Sequence, residues 1–337
     1  MKKLLSLLTA LTLVFGVGVN AFADVQDPVP NPDGVITINK ALTANPTGKN
    51  PADTFTFNVG SGTYAITEGA TETTTAPAFG DDNTFTIDVL KGEATGTTNI
   101  NLATFTNVGV YTYPITEAAG TTTGNINNTA GMTYDTASYD LVITVINNPD
   151  YVVDGDEPEF LRVLTLTTPN NVKTDSFKNF FNAGSLTVKK QTAGNYADPD
   201  DTFVVTVTLN AVAGKVLKNE MITASANANV TGVEANGTGT VTVTYTVQKG
   251  SEFTINNIPY DVKYTVVEAV DKGYKVSYDN DEGTINAESA TATITNTRNK
   301  DITTGINLDN IPYILLLAGA IVGIGVLVIN KRKHANI

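Results

Sequence analysis

Two sets of residues in this sequence have types and spacings that could do chemistry. In the first half they are Lys40 in Ile36-Thr-Ile-Asn-Lys40, Glu117 in Tyr113-Pro-Ile-Thr-Glu117 and Asn179 in Phe177-Lys-Asn179. The second half repeats the order with Lys190 in Leu186-Thr-Val-Lys-Lys190, Glu268 in Tyr264-Thr-Val-Val-Glu268 and Asn296 in Ile294-Thr-Asn296. Side chains alternate faces along a strand, so each polar group points where its apolar neighbours at i−2 and i−4 point, toward a core. Burying a charged Lys or Glu is costly unless it is paired or neutralised. One reading is a buried ion pair with an Asn nearby, or a strand that ends so that its polar group surfaces. The other is an amine and an acid held deliberately against a carboxamide. The same order and parity in both halves move the balance toward the second.

Two neighbours compete with these residues. Glu68, in Tyr64-Ala-Ile-Thr-Glu68, matches the carboxylate motif as well as Glu117 does. Glu117 is preferred because Phe105 and Tyr111-Thr-Tyr113 precede it, as Phe253 and Tyr260 precede Glu268. Lys189 adjoins Lys190, but its parity turns it to solvent.

The elements that must position these groups are strands. The chain has 337 residues, 41% of them apolar, which suffices for real cores in about two domains. Its 54 Thr and 35 Asn favour strands and turns over helix interiors. Runs such as Thr54-Phe-Thr-Phe-Asn-Val and Tyr139-Asp-Leu-Val-Ile-Thr-Val-Ile alternate apolar with polar residues. Clusters of Asn, Gly, Asp and Pro break them about every ten residues, the pattern of antiparallel sandwiches. Asp24 to Asp33, with three prolines, reads as an extended leader, and Thr71 to Pro77 and Thr121 to Thr129 read as loops. The internal repeat places a boundary near Gly184-Ser185, giving domains over 24–184 and 185–300.

Composition excludes several functions. There is no Cys, so no disulfide framework, thiolate nucleophile or Cys-ligated metal. The single His, His334, lies near the end, which removes His-based triads and His-rich metal sites. No metal or other cofactor is expected. The acidic group Asp154, Asp156, Glu157 and Glu159 lacks calcium-loop spacing and reads as a solvated turn. A net charge of −13 argues against nucleic-acid binding. Scattered acids without a paired setting also disfavour a carboxylate-based hydrolase.

Both ends read as processing signals. Met1-Lys2-Lys3, the apolar run Leu4 to Val19 and Ala21-Phe22-Ala23 form a secretory signal peptide over 1–23, with cleavage expected between Ala23 and Asp24. Ile311 to Ile329 is an apolar span long enough to cross a bilayer, and Lys331-Arg332-Lys333 would stay on the cytoplasmic side. Just upstream stands Asp301-Ile302-Thr303-Thr304-Gly305.

That motif, span and basic tail (301–337) together resemble a Gram-positive cell-wall sorting signal, although the first two residues depart from the usual Leu-Pro-x-Thr-Gly. The resemblance implies a sortase that cuts between Thr304 and Gly305 and passes Thr304 from a thioester to an amine. The mature region 24–304 would keep 16 basic and 33 acidic residues, a charge of −17. The segment Phe177-Lys-Asn-Phe-Phe-Asn-Ala-Gly-Ser-Leu-Thr-Val-Lys-Lys190 is similar to the junctions of isopeptide-forming pilins, the streptococcal T-antigen type of backbone pilin. The resemblance implies two tandem Ig-like (Cna-B-type) β-sandwich domains, all-β, each closed by an autocatalytic Lys–Asn amide bond. The pairs would be Lys40–Asn179, promoted by Glu117, and Lys190–Asn296, promoted by Glu268. Desolvation would release the lone pair of the amine and raise the acid's pKa, so that a protonated carboxyl hydrogen-bonds the Asn carbonyl and shuttles protons as ammonia leaves. The acceptor for Thr304 would be Lys173, with Lys178 as rival. Implied partners are a pilus sortase, identical subunits, minor pilins and peptidoglycan. A non-polymerising wall-anchored adhesin or minor pilin is the alternative, and turnover catalysis is not expected.

Overall fold

The computed structural model describes residues 29–31, 35–67, 74–79, 83–101, 105–118, 120, 128–153, 155, 158–174, 176–217, 222–225, 229–233, 240–269, 272–300 and 311–334. Glu68, Ala23, Asp24, Asp154, Asp156, Glu157, Thr304 and Gly305 lie outside them.

The first sandwich is built from β1 (Val29–Asn31), β2 (Val35–Ala44), β3 (Asp53–Val59), β4 (Thr63–Ala65), β5 (Thr74–Thr75), β6 (Thr84–Val89) and β7 (Thr95–Asn101), followed by β8 (Gly109–Glu117), β9 (Met132–Thr133), β10 (Ser138–Asn147), β11 (Phe160–Thr167), β12 (Lys173–Thr174) and β13 (Ser176–Phe181). The second comprises β14 (Ala183–Ala193), β15 (Thr202–Asn210), β16 (Thr223–Ala224), β17 (Asn229–Val233), β18 (Thr240–Gln248), β19 (Glu252–Pro259), β20 (Lys263–Glu268), β21 (Lys275–Asp279), β22 (Glu282–Thr284) and β23 (Ser289–Thr297). A helix, α1 (Ile311–His334), follows. It is long and apolar enough to cross a membrane.

Each sandwich packs one sheet on another. In the first, the path β1-β11-β10-β8-β3-β6, with three short strands beside it, faces β7-β2-β13-β9. In the second, β16-β19-β14-β23-β21 faces β17-β18-β15-β20-β22. Strict alternation accounts for the two cores. Along β8 every second residue from Gly109 to Glu117 is buried, and along β15 Phe203, Val205, Val207 and Leu209 are.

The pairing that matters most is parallel. In each sandwich the first long strand and the last strand lie side by side, β2 with β13 and β14 with β23, in otherwise antiparallel surroundings. The register is the same in both: Leu42 faces Asn179 and Thr192 faces Asn296, so each Asn sits opposite the residue two past the Lys. Residues i and i+2 share a face about 7 Å apart, within reach of a lysine side chain.

Two short segments read from sequence as irregular are strands. Val29–Asn31 of the proline-rich leader pairs with β11, where Pro30 is tolerated because β1 is an edge strand. Thr74–Thr75, inside the stretch read as a loop, pairs with β4.

The two sandwiches meet at a junction of backbone and amide clamps. Asn45 donates from Nδ2 to the Ala183 carbonyl at 2.8 Å and accepts from its N–H at 2.9 Å. Asn257 accepts from the Lys49 N–H and donates back to its carbonyl. Thr129 bridges Val216 in parallel, and Ala130 packs in the second core although its sequence belongs to the first sandwich. Gly131 stands at the centre with φ of 74°. A Cβ there would lie 2.6 Å from the Asn182 carbonyl oxygen and 2.8 Å from Pro259. Gly131→Ala should therefore lower stability by roughly 1–3 kcal/mol. Thermal or chemical denaturation reads this out, and an unchanged midpoint would show that the junction tolerates a side chain.

Candidate functional site

Each sandwich buries one amine, one carboxyl and one carboxamide at its centre. None of Lys40, Glu117, Asn179, Lys190, Glu268 and Asn296 is more than 7% exposed. Lysine and glutamate almost never reach that depth unpaired. Lys and Asn come from neighbouring strands of one sheet, and Glu reaches in from the facing sheet, at the end of β8 or β20.

In the first site Lys40 Nζ donates to Glu117 Oε2 at 2.9 Å. Asn179 Nδ2 donates to the other carboxyl oxygen, Oε1, at 2.7 Å. The Asn179 carbonyl Oδ1 accepts the backbone N–H of Asp135 at 2.9 Å. A backbone N–H can only donate, so it fixes which end of the amide is oxygen. Phe55 and Phe57 wall the amine, with ring centroids 4.8 and 5.6 Å from Nζ. Burial lowers the Lys40 pKa against the opposing pull of Glu117, and burial raises that of Glu117 against the pull of Lys40.

The second site repeats the arrangement with differences. Lys190 Nζ lies 3.0 Å from Glu268 Oε2, but at an angle outside hydrogen-bonding geometry. Asn296 Nδ2 donates to Glu268 Oε1 at 2.6 Å, while its carbonyl Oδ1 has no partner among the described residues. The Phe203 ring lies 4.4 Å from the amine, and burial lowers the Lys190 pKa.

The geometry revises one step expected from the sequence. The glutamate was expected to hydrogen-bond the Asn carbonyl, yet in both sites it faces the amide nitrogen. It is therefore placed between the amine that would lose a proton and the nitrogen that would leave with one. In the first site the carbonyl is served by Asp135, which sequence reasoning missed. A backbone donor leaves no mark in residue type, and the only trace is the turn-prone Tyr134-Asp-Thr-Ala.

Lys189 is exposed beside buried Lys190. Lys173 is half-buried on the edge strand β12, after a tight turn in which Asn171 has φ of 56°. Lys178 is exposed on the outer face of β13. Among the described residues no cluster of His, Asp and Glu could hold a metal ion. Arg162, fully buried on β11, is a charged residue the sequence did not single out, and among the described residues its guanidinium nitrogens find no hydrogen-bond partner.

The shifts at Lys40 and Glu117 set a pH dependence for a chain that keeps both groups but has no carboxamide. In Asn179→Ala, Glu117 binds its proton more tightly folded than unfolded, so stability falls as pH rises from about 4.5 through its raised pKa. Lys40 binds its proton less tightly folded, so stability recovers as pH climbs from its lowered pKa toward 10.5. Denaturation midpoints across this range should trace a trough. A flat profile would contradict the burial of both groups.

Residues 36–182 match the Spy0128-like isopeptide containing domain, and residues 184–298 match a domain of unknown function (DUF7601). A pilin of Streptococcus pyogenes serotype M1 is 26% identical over 250 residues, covering 69% of this chain and 70% of that protein. The crystal structure of the major pilin from Streptococcus pyogenes has a TM-score of 0.50 at 22% identity, covering 79% of this chain and 99% of that one. The major pilin protein T3.2 of Streptococcus pyogenes serotype GAS13637 has a TM-score of 0.51 at 20% identity, covering 80% and 99%. These structures share the two-sandwich fold. The chain is thus homologous to a pilin of Streptococcus pyogenes, and its residues 36–182 match the Spy0128-like isopeptide containing domain.

Proposed function

We propose that this protein is the shaft subunit of a covalent surface pilus, reinforced within each sandwich by a Lys–Asn amide bond. The observation that carries the reading is the twice-built triad, in which a buried amine and carboxamide from adjacent parallel strands share one carboxyl. Packing holds the reacting groups together and substitutes proximity for an external catalyst. A desolvated Lys40 is disposed to shed its proton, and Glu117 is disposed to take it up. Each group acts once, on its own chain. By analogy with disulfides, closing loops of this length would contribute about 4–5 kcal/mol each.

The exported chain, with domains over 24–184 and 185–300, would be cut between Thr304 and Gly305 and joined through Thr304 to Lys173 of the next subunit. The apolar helix α1 with its basic end would hold the precursor in the membrane until then. Lys173 lies on an edge strand beside a polar turn, where an enzyme could approach. Lys178 is the rival, and its greater exposure counts in its favour. Assembly on the Gram-positive cell wall, with minor pilins and peptidoglycan as further partners, completes the reading. Detergent-resistant high-mass ladders on the cell surface distinguish it from a non-polymerising adhesin. Lys173→Ala should abolish the ladders, and their persistence would transfer the acceptor role to Lys178.

A mechanical consequence follows from the topology. Tension entering at Lys173 and leaving at Thr304 bypasses most of the first sandwich but crosses the whole second one. There β14 runs from the junction and β23 runs parallel beside it toward the exit, so a Lys190–Asn296 bond would carry force from first strand to last. Asn296→Ala should make a subunit extend when pulled between Lys173 and its C-terminal end. Asn179→Ala should lower thermal stability and leave that extension small. Equal extension of the two variants in single-molecule pulling would refute the load path.

A further inference from the structure

Besides the looser Lys190–Glu268 contact, the two sites differ at the carbonyl oxygen of the asparagine. Asn179 Oδ1 receives the Asp135 N–H at 2.9 Å, whereas Asn296 Oδ1 receives no hydrogen bond from the described residues. The Asp135 backbone is itself pinned. Its Oδ1 accepts the Ala137 N–H at 2.9 Å, closing a local turn, and its Oδ2 accepts the Tyr139 hydroxyl in a short hydrogen bond. Tyr139 packs edge-on against Phe177, ring centroids 4.6 Å apart, and Phe177 is the register partner of Lys40. The donor is thus braced against the strand that presents the carboxamide.

We infer that the Asp135 N–H is an oxyanion donor for the first crosslink, positioned by the Asp135 side chain and Tyr139, and that the first bond forms faster than the second. The inference rests on the crosslinking reading above. The Lys40 Nζ lone pair attacks Asn179 Cγ, forming the new C–N bond and placing negative charge on Oδ1. Glu117 takes a proton from Nζ and delivers one to Nδ2; the Cγ–Nδ2 bond breaks and ammonia leaves, so atoms and charge balance. The N–H is already bonded to the carbonyl oxygen on which the charge would develop, and a preorganised donor there lowers the barrier. The second site must reach the same intermediate without such a donor on Asn296 Oδ1.

The test follows both bonds in the full chain during cell-free synthesis, by quenched proteolysis and mass spectrometry of the two linked peptides. In the wild-type sequence Lys40–Asn179 should appear at least about tenfold faster than Lys190–Asn296. Asp135→Ala is then compared with the same chain carrying lactic acid at 135, an ester that deletes only the N–H. The ester should slow the first bond about 10²–10³-fold and leave the second unchanged. Asp135→Asn, which keeps the N–H and the turn acceptor and whose Nδ2 can donate to the Tyr139 hydroxyl, should keep the rate within a few-fold of wild type. A first bond no faster than the second, or one indifferent to the ester, overturns the role of Asp135 alone. Loss of neither ammonia in the wild type removes the crosslinking reading and this inference with it.

Discussion

An amine and a carboxyl inside a protein core are a liability, and the architecture of both sandwiches is arranged around that cost. Lys40 sits against Phe55 and Phe57, and Lys190 against Phe203, buried from the bulk solvent that would solvate an ammonium ion. Replacing such groups with apolar residues would commonly be neutral or stabilising. Their burial beside a carboxamide, twice, makes sense if the charges are removed by reaction. An amide has no charge to solvate, so the bond would convert an expensive core into an ordinary one.

The parallel pairing of the Lys and Asn strands is what would allow that conversion. The antiparallel neighbour on the other side of each Lys strand is nearer in sequence, Gly96 opposite Lys40 and Glu252 opposite Lys189, so a bond there would close a shorter loop. Here the Lys strand is the first long strand of the sandwich and the Asn strand its last, so a bond across them would enclose nearly the whole domain. The shared two-residue offset matches the reach of lysine, and the facing sheet brings the carboxyl to the gap between them. The junction clamps at Asn45 and Asn257 then tie one closed unit to the next.

Much of this was legible in the sequence because alternation is a strong signal. Parity alone put Lys40, Glu117 and Asn179 on apolar faces, turned Lys189 outward, and implied sandwiches rather than helices. Parity does not say which strands are neighbours, so the parallel register and the Glu from the opposite sheet had to come from tertiary structure. The amide orientation was misjudged for a similar reason: the partner of Asn179 Oδ1 is the backbone of Asp135, and every residue but proline carries that donor. The strand in the leader was hidden by Pro30, which only an edge position tolerates.

The most direct test of the account is the intact mass of the folded chain, alone and with each glutamate replaced. The account predicts a wild-type mass about 34 Da below that of the sequence, allowing for any removal of the ends, because two ammonia molecules have left. It also predicts that Glu117→Ala and Glu268→Ala each recover one ammonia equivalent, beyond the change in side chain. A wild-type mass equal to that of the sequence would contradict it, leaving two buried ion pairs and no crosslink.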